Sequence, residues 1–212
     1  GLEAAFVSKD SSVYAGKLGQ QVASPLVTAI DDGTIENSWG SSNYDDEGTP
    51  TQRNLLIENG ILKGYLVDRI SGKRMGCAST GSSRRESYKF APTSRMNNTF
   101  IQAGSSTREE IISDTEYGLY AKSLGGGSVD VVTGEFNFAV REAYLIENGK
   151  LSQPVRGASL IGTGLEVLQK IDMVGQDLLL SEGMCGAGSG MIPASLGQAP
   201  LRISSLTVGG RE

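Results

Sequence analysis

Cys185 has the widest chemical repertoire of any side chain in this sequence, set within Gly183-Met184-Cys185-Gly186-Ala187-Gly188. Flanking glycines let backbone come close to a bound group. A thiolate there is a soft zinc ligand; a lone cysteine equally serves as a small, inert hydrophobe. One thiolate cannot hold zinc alone. Cys77, beside Met75 and Gly76, lacks such a setting and reads as structural. The chain contains no histidine, which excludes a Ser-His-Asp triad, a Cys-His pair and any imidazole metal site built from these residues. Hydrolytic chemistry must take its imidazoles from outside the chain.

Arginine and asparagine supply the next candidates. Arg84-Arg85-Glu86 lies in a Gly/Ser-containing run, Thr80–Tyr88, without the lysine of a phosphate loop. A guanidinium fork suits a carboxylate, either a peptide's terminus or an internal Asp or Glu. Arg95 and Asn98, in Ser94-Arg95-Met96-Asn97-Asn98-Thr99, are similar: Asn amides pair with an extended peptide, or terminate strands. Arg84, Arg85, Glu86, Arg95 and Asn98 are therefore the candidate substrate contacts. The acidic runs Asp31-Asp32-Gly33 and Asp45-Asp46-Glu47-Gly48 lack the EF-hand spacing. They suit Asx-turns at strand ends, Ca²⁺ or Mg²⁺ through oxygen, or the holding of an arginine.

The elements that must position these groups are mostly strands. Glycine numbers 29 of 212 residues and punctuates short apolar runs, the pattern of strands joined by tight turns. Leu-Ile-Glu-Asn-Gly occurs at Leu56–Gly60 and again at Leu145–Gly149. Asn-Gly between apolar runs predicts a type I′ hairpin turn, giving hairpins at about 53–68 and 141–156. Further strands are predicted at 22–30, 99–102, 128–132, 135–140 and 201–208, with Pro25 placing the first near a sheet edge. Thr107-Arg108-Glu109-Glu110 is a capping box. It opens a helix whose apolar stripe, Ile111, Ile112, Thr115 and Leu119, ends before Gly125-Gly126-Gly127. A second helix is predicted at 165–171, and the Gly183–Gly190 segment reads as an ordered loop. The expected class is α+β, mostly antiparallel β with repeated Asn-Gly hairpins and two or three helices, in one domain.

A net charge of −5 argues against a nucleic-acid surface, which needs a clustered basic face. No apolar run approaches the roughly 18 residues of a membrane span, and no leader peptide is visible. Two cysteines make no disulfide scaffold, so a reducing cytoplasm is the expected location. The chain opens Gly1-Leu2-Glu3-Ala4-Ala5-Phe6, which reads as the interior of a longer protein.

Taken in order, these segments resemble the TldD/PmbA family, zinc metalloproteases also labelled modulators of DNA gyrase. The resemblance runs along the whole chain. It is carried by Val27–Thr34, Asp45–Pro50, Leu56–Gly60, Arg84–Tyr88, Arg95–Thr99, Gly125–Gly127, Glu142–Ile146, Val174–Leu178, Cys185-Gly186 and Leu206–Gly210. Family members carry an HExxxH motif on a helix, followed shortly by a stretch like Gly1–Phe6. The resemblance implies that residues 1–212 form the single C-terminal domain, with the N-terminal domain and the HExxxH helix missing. It implies that two imidazoles of that motif and Cys185 bind zinc in the full-length enzyme, and that the motif's glutamate activates water. It also implies pairing with a second TldD/PmbA-family subunit, as a homo- or heterodimer, and small or unfolded peptides as substrates. Arg84-Arg85-Glu86 and the cysteine look like the metal-bearing D-type subunit. The fragment itself is expected to bind no zinc and to be inactive. The alternative is a non-catalytic assembly or binding module of such a dimer.

Overall fold

Both Asn-Gly pairs adopt the left-handed backbone that a type I′ turn demands, with φ of 48° and 82° at Asn59-Gly60 and 51° and 71° at Asn148-Gly149. A computed structural model describes residues 1–210. The first half of the chain is built of short elements: α1 (Ala4–Val7), β1 (Ala29–Asp32), β2 (Arg53–Glu58), β3 (Ile61–Leu62), α2 (Arg69–Met75), β4 (Ser83–Arg84), β5 (Thr93–Ser94) and β6 (Asn98–Ile101). Longer strands fill the second: α3 (Arg108–Ser113), β7 (Tyr117–Val129), β8 (Glu135–Glu147), β9 (Lys150–Val155) and β10 (Ser159–Thr163). It ends with α4 (Gly164–Gln169), β11 (Ile171–Val174), β12 (Leu179–Ala187), β13 (Gly190–Gln198), β14 (Leu201–Ile203) and β15 (Thr207–Gly209).

One six-stranded sheet runs β12-β13-β6-β1-β2-β3, antiparallel except where β13 meets β6. A second runs β15-β10-β8-β7, with β9 pairing the far half of β8. Two small ladders, β11–β14 and β4–β5, complete the β structure. The fold is α+β and mostly antiparallel, with four short helices among the described residues.

Apolar residues from α1, β2, β3 and β11 and from the 13–27 segment meet in one core: Ala4, Val7, Tyr14, Val22, Val27, Ile57, Leu62 and Ile171. Each of the larger aliphatic side chains stabilises by about 1.5–3 kcal/mol when fully removed from water. The Asn59-Gly60 turn is tied to that core through Gly60 N–H to Val27 O (2.9 Å), and Val22 N–H returns to Gly60 O (2.8 Å).

Several boundaries differ from those predicted. Residues 22–28 are irregular and only Ala29–Asp32 forms a strand, because Val22, Ala23 and Val27 bond to Gly60 and Ser24 N–H bonds to Leu168 O rather than to a ladder. The capping box is present, with Thr107 and Glu110 bonding reciprocally, but the helix stops at Ser113. Thr115 turns its hydroxyl back to Ile111 O (2.7 Å), and Leu119 lies in β7 opposite Leu145. Gly125-Gly126-Gly127 lies within β7 rather than beyond a helix. Ile171 likewise begins a strand instead of closing α4. The 201–208 strand is two short ones separated by residues 204–206. Gly183–Gly190 is no loop: Gly183–Ala187 pairs residue by residue with β13, and only Gly188 and Ser189 turn.

The Cys185 hairpin as candidate functional site

Cys185 sits on β12, opposite Ile192 of β13, with its side chain half-buried. β12 is the end strand of the six-stranded sheet, so its outer edge is unpaired among the described residues. The ribbon has little sheet behind it. β13 pairs with β6 only over Ser195–Gly197, leaving the stretch from Gly183 to Ala194 two strands wide.

Three of the five sequence-predicted residues, Arg84, Glu86 and Arg95, converge on this ribbon. Arg95 is 2% exposed; its Nη1 donates to Ser189 Oγ (2.8 Å) and Gly190 O (3.0 Å), and its Nη2 to Cys185 O (2.5 Å). Arg84 Nη1 donates to Pro193 O (2.6 Å) and Met96 O (2.9 Å). Glu86 grips the turn from outside: its N–H donates to Ser189 O (2.9 Å) and its Oε2 accepts from Met191 N–H (2.7 Å). Gly190 has φ of +89°, and a Cβ there would lie 2.5 Å from Glu86, so only glycine admits this approach. Trp39, which the sequence did not single out, donates its indole N–H to Gly183 O (3.0 Å).

Arg85 and Asn98 lie apart from that grip. Arg85 pairs with Asp46, whose Oδ2 accepts the Arg85 N–H (2.8 Å). Asn98 is fully buried on β6; its amide donates to Asp32 O (2.6 Å) and Ser41 Oγ (2.8 Å), and its Oδ1 accepts from Ser38 Oγ (2.8 Å) and Gly40 N–H (3.0 Å). That completes an amide's capacity within the fold. Arg95 and Asn98 therefore face internal partners rather than solvent.

The acidic runs resolve among the readings open to them. Asp32 makes an Asx-turn through Thr34 N–H (2.8 Å), and Asp45 accepts from Glu47, Thr49 and Ser83 N–H groups. Asp46 holds an arginine. Asp31, wholly buried, accepts from Asn97 N–H (2.7 Å), Asn97 Nδ2 (3.1 Å) and Thr99 Oγ1 (2.7 Å). Burial pushes its carboxyl above the ordinary range, opposed by the Asn97 and Thr99 hydrogen bonds and by Arg84. Burial lowers the Arg84 guanidinium, and Asp31 and Asp46 counter it.

Among the described residues no group of three or more His, Cys, Asp or Glu side chains is placed to hold a metal ion. Cys185 fits one corner of a zinc tetrahedron and no more, since such sites take three or four protein ligands. Cys77 is exposed just beyond α2, and its N–H closes that helix on Gly72 O (2.9 Å). No helix is long and apolar enough to cross a membrane among the described residues.

Residues 1–210 match the family described as PmbA/TldA metallopeptidase C-terminal domain. A Buchnera aphidicola protein named metalloprotease TldD homolog is 50% identical over 212 residues, covering 99% of this chain and 44% of its own. A Saccharolobus solfataricus protein named zinc metalloprotease TldD homolog is 33% identical over 167 residues, 79% of this chain and 38% of its own. The crystal structure of TldE from Thermococcus kodakarensis matches with a TM-score of 0.83 at 26% identity, over 99% of this chain and 45% of that one. The chain spans under half the length of the curated relatives it matches. With a family match from residue 1 to residue 210 and identities this high, the chain belongs to the PmbA/TldA metallopeptidase family, as its C-terminal domain.

Proposed function

We propose that this domain works within a zinc-dependent peptidase acting on small or unfolded peptides, supplying Cys185 as one metal ligand and β12 as one wall of the substrate cleft. The observation that carries the reading is the position of Cys185: a half-buried sulfur on the unpaired end strand of a sheet, its carbonyl held by Arg95. The remaining ligands come from outside this chain, which has no histidine. Bound zinc would supply Lewis acidity and a water of pKa near about 7. The chain's own contribution is to fix the sulfur and to offer the free backbone groups of β12. An extended peptide pairs with such an edge through main-chain hydrogen bonds, which favours short or unfolded substrates over folded ones. We place the enzyme in the cytoplasm, as a homo- or heterodimer with another family subunit. By itself the 212-residue chain retains no zinc and turns over no peptide, because one thiolate is too few.

The second reading is a non-catalytic module that shapes a partner's cleft; the inward bonding of Arg84, Arg95 and Asn98, which leaves these polar groups facing the fold, favours it. Zinc content and peptide cleavage by the full-length gene product separate the two. Cys185→Ala is expected to lose both metal and turnover, whereas Cys77→Ala keeps them. A Cys185→Ala protein with parental zinc content and rate removes the ligand assignment and leaves the binding-module reading standing.

A further inference from the structure

We infer that Arg95 is a positioning residue for Cys185, acting with Glu86 and Arg84 as a clamp that takes the place of a missing third strand. The inference rests on the reading of Cys185 as a metal ligand. A two-stranded ribbon without further support is marginal in water, and the ribbon has no third strand from Gly183 to Ala194. Yet the backbone around Cys185 is held at Cys185 O, Ser189 O, Gly190 O, Met191 N and Pro193 O, all by side chains or backbone of residues 84, 86 and 95.

The clamp's chemistry explains its residue types. Strand backbone offers carbonyls at fixed spacing, and a planar guanidinium reaches several of them at once. Arg95 spans the hairpin, bonding Cys185 O on one strand and Gly190 O across the turn. A lysine would keep the charge, but its donors sit on one nitrogen and lack the spread of the Nη1 and Nη2 pair that Arg95 uses. Neither Arg84 nor Arg95 has a carboxylate within ion-pair distance among the described residues. Their charge is directed at the ribbon's carbonyls instead. Glu86 supplies the complementary acceptor for the turn's N–H, so the three side chains grip both kinds of backbone group. A sulfur ligand delivered from the free end of a sheet needs such a fixture, because metal geometry tolerates little play.

The test uses the full-length protein carrying Arg95→Met, Arg95→Lys or Glu86→Ala. Amide hydrogen exchange of the metal-free protein over 183–192 is expected to accelerate about tenfold in Arg95→Met, as for a segment whose local opening has become easier. Exchange in β1 and β2 stays at the parental level. Zinc affinity, measured by chelator competition, is expected to weaken about 10–100-fold, the usual effect of losing a partner that orients a ligand. Arg95→Lys does not rescue either quantity. Parental exchange over 183–192 overturns the clamp. Faster exchange with unchanged zinc affinity overturns the positioning role. Should Arg95→Met fail to fold, Glu86→Ala, on the exposed rim, carries the same two measurements and the same refutations. Failure of the ligand reading shows separately, as zinc retained by Cys185→Ala.

Discussion

Replacing Gly60 by alanine separates two costs that are usually confounded at a hairpin turn. Gly60 has φ of +82°, and a Cβ there would collide with Ala23 O and lie 2.9 Å from Ser24 O. Both obstacles are backbone, fixed by the hydrogen bonds of Val22 and Ala23 N–H to Gly60 O, so neither moves without opening the contact between turn and core. Left-handed backbone costs a side-chain-bearing residue about 1–2 kcal/mol. Forcing atoms into a packed site adds about 1–3 kcal/mol. Gly76 is the control: φ is +69°, but nothing lies within 4 Å of its would-be Cβ. Gly76→Ala should therefore cost the conformational part alone. For a domain of this size about 1 kcal/mol lowers Tm by about 2–4 °C. Gly60→Ala, at about 3 kcal/mol, is expected to fall by about 6–12 °C and Gly76→Ala by about half as much. Thermal unfolding followed by circular dichroism reads both. Equal losses would refute the close-approach argument and leave only the turn's dihedral preference.

Three more substitutions, at two residues, address buried polar groups. Asp68 caps α2 through Ser71 N–H (2.8 Å) and also accepts from Ser94 N–H of β5 (3.1 Å), so Asp68→Ala should destabilise by about 2–3 kcal/mol in a denaturant titration. Burial would raise this carboxyl, but the hydrogen bonds from Ser71 and Ser94 outweigh it and hold it below the ordinary range. Its stabilisation is therefore complete above the ordinary Asp range and disappears as pH falls through the depressed value; Asp68→Asn should flatten the acid limb of the stability profile. An unchanged acid limb would contradict this sign. Asn98→Ala orphans Gly40 N–H and Asp32 O and should cost about 2–4 kcal/mol of stability. A raised KM with parental Tm would instead restore Asn98 as a substrate contact.

The legible parts of this fold are those whose cause is local. Asn59-Gly60 and Asn148-Gly149 declare their turns because left-handed backbone is a property of the dipeptide itself. The Thr107–Glu110 box declares its helix start because both partners lie within four residues. The Gly183–Ala187 part of β12 failed to declare itself, since glycine and alanine carry no strand preference. It is a strand because β13 pairs with it and because Arg84, Glu86 and Arg95 hold the hairpin, through contacts that span 90 residues for Arg95 to Cys185 and 109 for Arg84 to Pro193. Leu119 misled for the complementary reason. Its spacing from Ile111, Ile112 and Thr115 suits a helix, while Thr115's hydroxyl and the pairing of β7 with β8 end the helix before that spacing matters.

The arginines make the sharper case. Sequence identifies a guanidinium and the planar acceptors it suits, but a row of backbone carbonyls is as good an acceptor as a carboxylate, and the two are indistinguishable until the chain is folded. Arg95 could be assigned to a substrate only while its burial was unknown. At 2% exposure, it touches the Cys185 strand and not the solvent. Residue type thus singled out groups with a definite task, while their partners depended on distances that only the fold sets. Arg84, Glu86 and Arg95 hold the backbone that carries the Cys185 sulfur, and a hairpin only two strands wide at a sheet edge makes that hold necessary.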